Sequence, residues 1–198
     1  MPRVWSFAAH DDREYPPVRS VRPASYADPV RTVELLPDET TEARVRRVWA
    51  RLAEAGLPSL AGHRHPTNRP HLTLTTASEL PWDARPALTA ALSVLPLPLR
   101  LEHTLRFEGR TSVLAWRVVP DAALAALQRR VWELLPGAGN PLFEPDTWVP
   151  HLTLGRTRST TGPWPADLLP TELSEPWEGA FTAARSYDSE TRTVERLT

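Results

Sequence analysis

Along the chain the apolar positions recur with two spacings, and the change from one to the other lays out the elements. RTVELLP, beginning at residue 31, reads as a short strand. In the following DETTEARVRRVWARLAEAG, Val45, Val48, Trp49 and Leu52 fall at helical spacing, Asp38 or Thr40 stands where an N-cap belongs, and Gly56 closes the helix. Residues 69–76, RPHLTLTT, alternate as a strand does. PWDARPALTAALSVLP predicts a helix with Leu88, Ala91, Leu92 and Leu95 on one side. LPLRLEHTLRFEGRTSVLAWRVVP predicts a hairpin turning at Glu108 to Thr111, with Leu97, Leu99, Leu101, Leu105 and Phe107 on one face of its first arm. DAALAALQRRVWELLPG is a helix capped by Asp121 and ended near Gly137. A strand at VPHLTLGR, a helical turn at WPADLLP and a closing hairpin over 177–187 and 191–197 complete the order.

Strand, helix, strand, helix, two strands, helix, strand, two strands fits two roughly equivalent halves better than a doubly wound parallel sheet. The fold class is therefore α+β with mostly antiparallel sheets. Residues 1–30 hold five prolines, four arginines and four acids without periodicity, and are expected to be a poorly ordered extension to a single domain over 31–198.

Composition removes several chemistries. The chain has no cysteine, and all 23 of its Lys+Arg positions are arginine. A coding bias is the simplest cause, but without lysine the chain has no Walker A clamp, Schiff base or lysine–nucleotide intermediate, and without cysteine no thiolate nucleophile. The net charge of −1 gives no broad basic field for duplex binding, while a small nucleotide or a strand end remains compatible. With no long apolar run and a charged N-terminal stretch, the expected location is cytoplasmic, away from membranes.

The pentapeptide Pro-His-Leu-Thr-Leu occurs twice, at 70–74 and 150–154, in a chain with six histidines. On a strand, Leu72 and Leu74 share one face while His71 and Thr73 share the other, and Leu152 and Leu154 stand likewise against His151 and Thr153. Each copy buries two leucines and presents one imidazole and one hydroxyl. Two such strands across a cleft suit phosphoryl transfer without a metal. One imidazole takes a proton, the other gives one, and the hydroxyls donate to non-bridging phosphate oxygens. A half-buried strand whose polar residues happen to repeat explains one copy well and two copies poorly.

Further residues are candidates for substrate contact. Arg156 is a fork donor for phosphate, although strict alternation puts it on the leucine face unless the strand ends or twists first. Arg69 shares parity with His71. Trp148 and Phe143 suit stacking on a base, while burial is the commoner use of aromatics. His63 and His65 lack the partners of a metal site and read as loop histidines, and His103, on an apolar parity, implies a buried partner or a cleft position. Neither a metal nor a cofactor is expected, and no obligatory protein partner is evident.

On these motifs, with VELLPDE before the first helix and WVPHLTLGR at the second motif, residues 31 to 198 resemble the 2H phosphoesterase superfamily, in its 2′-5′ RNA ligase branch. The resemblance implies a bilobal fold, with two pseudo-symmetric halves facing a central cleft and helices outside. It implies metal-independent action on 2′,3′-cyclic or 2′-5′ phosphodiesters at RNA ends or on nucleotides, including reversible ATP-independent 2′-5′ joining. By the same analogy His151 activates water and His71 protonates the leaving 3′ oxygen. Arginine after the second motif also looks typical of the family. Hydrolysis of another small cyclic phosphate, or non-catalytic binding of RNA ends or nucleotides, is the alternative.

Overall fold

The computed structural model describes residues 30–135, 140–158 and 163–198. Residues 1–29 of the expected N-terminal extension and the helix stop near Gly137 lie outside these residues. Seven strands form one hydrogen-bonded sheet in which every pairing is antiparallel. They are β1 (Arg31–Pro37), β2 (Leu72–Ala77), β3 (Leu97–Phe107), β4 (Ser112–Val118), β5 (His151–Thr157), β6 (Trp177–Asp188) and β7 (Thr193–Arg196). Their order is β2-β1-β6-β3-β4-β5, with β7 on β6.

The helices form where the pattern predicts them. In α1 (Glu39–Glu54), Val45, Val48, Trp49 and Leu52 are buried, and the Asp38 carboxylate caps the helix by accepting from Thr41 N at 2.8 Å. Gly56, with φ of 71°, supplies the left-handed turn that ends it. In α2 (Arg85–Leu92) the buried residues are Leu88 and Leu92. Asp121 caps α3 (Ala122–Leu134) through Leu124 N at 2.8 Å. No helix among the described residues is long and apolar enough to cross a membrane.

The two halves share one plan. The unit β1–α1–β2, flanked by β6, matches β4–α3–β5, flanked by β3. The halves are joined because β6 pairs with both of them. Its residues from Phe181 to Asp188 lie along β1, and those from Trp177 to Phe181 lie along β3.

The motif strands β2 and β5 therefore sit at opposite ends of the strand order, yet side-chain donors tie them together. Trp148 Nε1 donates to the Thr73 carbonyl at 3.0 Å, Gln128 Nε2 to the Leu74 carbonyl at 3.3 Å, and Trp49 Nε1 to the Thr153 carbonyl at 3.1 Å. Thus α1 and α3 each bond to the motif strand of the other half. Buried carbonyls must find donors, and here side chains supply them where a neighbouring strand would otherwise have done so. The leucines Leu72, Leu74, Leu152 and Leu154 are at most 1% exposed and belong to the same core as the apolar faces of α1 and α3.

Candidate functional site

Each motif strand carries a bulge at the same place. In the first half Thr73 pairs with Glu34 and Thr75 with Val33, leaving Leu74 as the extra residue. In the second Thr153 pairs with Ala115 and Gly155 with Leu114, leaving Leu154 extra. The bulge resolves the parity problem at Arg156. Because Arg156 pairs with Val113 and Thr153 with Ala115, and Val113 and Ala115 share a face, Arg156 is returned to the face of His151 and Thr153. The bulge also explains Gly155. A Cβ there would lie 2.3 Å from the Pro58 carbonyl oxygen and 3.1 Å from the Trp164 ring.

The histidines are anchored identically. His71 Nδ1 lies 2.7 Å from the Arg69 carbonyl oxygen, and His151 Nδ1 lies 2.7 Å from the Val149 carbonyl oxygen. A carbonyl only accepts, so Nδ1 carries the hydrogen in both rings. In the neutral ring Nε2 is then the acceptor. The proline between carbonyl and imidazole holds the preceding residue extended. The recurrent x-Pro-His-x-Thr string thus encodes a ring orientation and a tautomer as well as a face.

The surroundings of the two rings differ. His151 is half-buried, its ring centroid lies 4.8 Å from that of Phe107 at a 47° tilt, and Arg117 stands opposite it in the register. Burial, with Arg156 and His71 as nearby positive charges, pulls His151 down to about 4, against the opposing effect of its bond to Val149. His71 instead has a carboxylate beside it, with Glu34 Oε1 3.7 Å from Nε2. Glu34 is buried and bonded to Arg185 Nε at 2.7 Å and to Thr32 Oγ1 at 2.6 Å.

Thr73 is half-buried and Thr153 buried, each on the face of its histidine. Arg156 is exposed on that face. The Arg69 guanidinium is drawn to Glu42 of α1, with Nε at 3.1 Å from Oε2, so its main contribution to the site is the carbonyl that holds His71. The Trp148 indole N–H is spent on the Thr73 carbonyl and its ring packs on the core, which makes it a tie between the motifs. Phe143 is half-buried in a short turn whose carbonyl accepts from Gln128 at 2.7 Å.

His103, on β3, is half-buried with Nε2 3.4 Å from Arg117 of β4, the residue that stands opposite His151 in the register. His65 Nδ1 is bonded to Thr67 Oγ1 at 2.8 Å, and with His63 it lines a cavity of about 410 Å³ that none of the four motif side chains enters.

The pattern reading passed over Glu34, Arg185 and Arg117. Glu34 did carry a signal, being the one acid between Val33 and Leu35 on the polar parity of β1, but its buried partner lies 151 positions away. Among the described residues no three His, Cys, Asp or Glu side chains gather as metal ligands would.

A search of the curated proteins finds no significant match. Among solved structures, Usb1 from Kluyveromyces marxianus is 14% identical with a TM-score of 0.49, covering 85% of this chain and 97% of that one. LigT from E. coli, complexed with NADP+, is 19% identical with a TM-score of 0.45, covering 87% of this chain and 96% of that one. The PDE domain of MHV ns2 is 15% identical with a TM-score of 0.48, covering 86% and 100%. The family model of the 2′-5′ RNA ligase superfamily matches residues 37–186. That span takes in both Pro-His-Leu-Thr-Leu strands and every element between them, so the chain belongs to the 2′-5′ RNA ligase superfamily of 2H phosphoesterases.

Proposed function

We propose that the protein is a metal-independent phosphodiesterase that opens 2′,3′-cyclic phosphates at RNA ends or on nucleotides, and that the same site supports reversible 2′-5′ joining. The family carries phosphodiesterase and ligase activity of the 2H type. The observation that carries the finer reading is the pair of identically anchored imidazoles, each with Nδ1 on a carbonyl and a threonine on the same face.

In this reading His151 Nε2 takes a proton from water as the water oxygen attacks phosphorus. The bond from phosphorus to the 3′ oxygen breaks, and His71 Nε2–H gives its proton to that oxygen, leaving a 2′-phosphate. Thr73, Thr153 and Arg156 donate to the non-bridging oxygens and hold the group in line. Joining runs the same proton transfers backwards, with a ribose hydroxyl in place of water.

The test is a double-mutant cycle in single-turnover rate on a 2′,3′-cyclic nucleotide and a cyclic-phosphate oligonucleotide, with and without EDTA, and with products identified. His71→Ala and His151→Ala should each abolish most turnover, and the double variant should be little worse than either, because concerted partners lose their effect together. Turnover that EDTA removes and a divalent ion restores would reject the mechanism. Binding without turnover in the parent would make the protein a nucleotide-binding module.

A further inference from the structure

The two halves share a frame, and that frame differs at a pair of buried positions beside the motif threonine. Glu34 stands opposite Thr73, with Arg185 opposite Glu34 on its other side. The equivalent places in the second half hold Ala115, opposite Thr153, and Leu105, opposite Ala115. One motif thus rests on a buried carboxylate–guanidinium pair and the other on two apolar side chains. Buried ion pairs add little stability over well-packed apolar residues of similar volume, so a pair kept in one half alone points to a task other than stability.

The geometry suggests that task. Arg185 Nε holds Glu34 Oε2 at 2.7 Å and Thr32 Oγ1 holds Oε1 at 2.6 Å, which fixes the carboxylate. Oε1 lies 3.7 Å from His71 Nε2, too far for a hydrogen bond and close for an ion pair. At that separation the carboxylate faces the ring nitrogen as a charge partner without capturing the Nε2 hydrogen. Burial works to raise the Glu34 carboxyl, but His71 and Arg185 beside it hold it below the usual carboxylate range.

The other titratable group that interacts with His71 is His151 from β5, and the Arg69 guanidinium, two residues before His71, is held by Glu42 of α1. The charges that act on His151 are those of Arg156 and His71, both positive, and Arg117 stands opposite it in the register.

We propose that Glu34, clamped by Arg185, is the positioning residue that gives two identical motifs opposite roles, holding His71 as the cationic proton donor and leaving His151 as the base. This rests on the acid–base function proposed above, and the test is chosen to separate the two. In 15N-labelled protein the His71 ring is titrated by NMR in the parent and in Glu34→Gln, and kcat/KM for a 2′,3′-cyclic nucleotide is measured across pH in both. The expected result is that His71 gives up its proton about one pH unit lower in Glu34→Gln. The alkaline limb of the rate profile should move down with it while the acid limb stays, and Glu34→Asp should restore part of the shift. Turnover near neutral pH should fall about tenfold, as for a weakened general acid.

Because Glu34→Gln leaves Arg185 buried and uncompensated, the double variant Glu34→Gln/Arg185→Gln repeats the measurement with both charges removed, and should show a smaller shift in the same direction. A folded variant in which neither the His71 titration nor the alkaline limb moves would overturn the inference. A parent that turns over no cyclic nucleotide while its His71 titration still depends on Glu34 would instead overturn the functional reading and support the charge coupling.

Discussion

Glu34 and Thr73 face each other across β1 and β2, Ala115 and Thr153 across β4 and β5, and the chemistry of the site follows from what each pair does. A threonine on the histidine face of each motif predicts loss without abolition. Thr73→Val and Thr153→Val each remove one donor to a charged phosphate oxygen and should cost on the order of 2 to 4 kcal/mol in transition-state stabilisation. Single-turnover rates on a cyclic nucleotide measure this, and unchanged rates in both variants would leave the hydroxyls a structural role.

His151 makes a pH prediction at the same scale. Its value of about 4 in the folded protein lies below the ordinary 6.5, so the unfolded chain binds more protons between those values. The stability this contributes is present above about pH 6.5 and is lost as pH falls toward about 4, amounting to roughly 3 kcal/mol. Urea melts at pH 7 and pH 4 should show that loss in the parent and a smaller one in His151→Gln. The acid limb of turnover should lie well below the usual histidine range.

At the scale of elements, the bulges matter more than the strands that carry them. Each inserts the second leucine of its motif as an unpaired residue and turns the next residues over, which is how Arg156 reaches the histidine face. Gly155 makes this possible in the second half, because Pro58 O and the Trp164 ring occupy the space of a side chain. Gly155→Ala should therefore destabilise by about 1 to 3 kcal/mol through overpacking. It should also lower turnover by moving Arg156, more than its effect on folding explains. Denaturant melts and rates on the same preparation separate the two effects. Trp148, Gln128 and Trp49 act at this scale as well, since each spends a side-chain N–H on a motif-strand carbonyl.

For the whole molecule, β6 is the element that makes two halves into one sheet, pairing with β1 at one end and with β3 at the other. The core is continuous from Val33 and Leu35 in β1 to Leu152 and Leu154 in β5, so the halves should unfold together. Residues 1–29 carry no periodic apolar pattern of their own. A chain starting at residue 30 should keep its melting temperature and its rate on a mononucleotide nearly unchanged, and a truncated chain that unfolds would show the segment to be part of the domain.

The local patterns were enough for the elements. Helical spacing at Val45, Val48, Trp49 and Leu52, caps at Asp38 and Asp121, and the glycine after α1 are signals confined to one turn or one face, and the elements lie where they point. The repeated Pro-His-Leu-Thr-Leu likewise carried its own faces, since alternation along a strand is a local property. What alternation could not carry was the register beyond the bulge. Arg156 stands on the leucine parity in sequence and on the histidine face in the fold, because two residues of β5 oppose one step of β4.

Pairings between distant segments were decided by the tertiary structure alone. Arg69 turned to Glu42, Trp148 became a tie between motif strands, and Glu34 met Arg185 across 151 positions. The sequence by itself determined that two histidines would share one kind of strand and one orientation relative to its leucines. Only the folded sheet determined that one would face a carboxylate from the neighbouring strand and the other an arginine brought round by the bulge, because charged neighbours are set by pairing and register rather than by alternation along a strand.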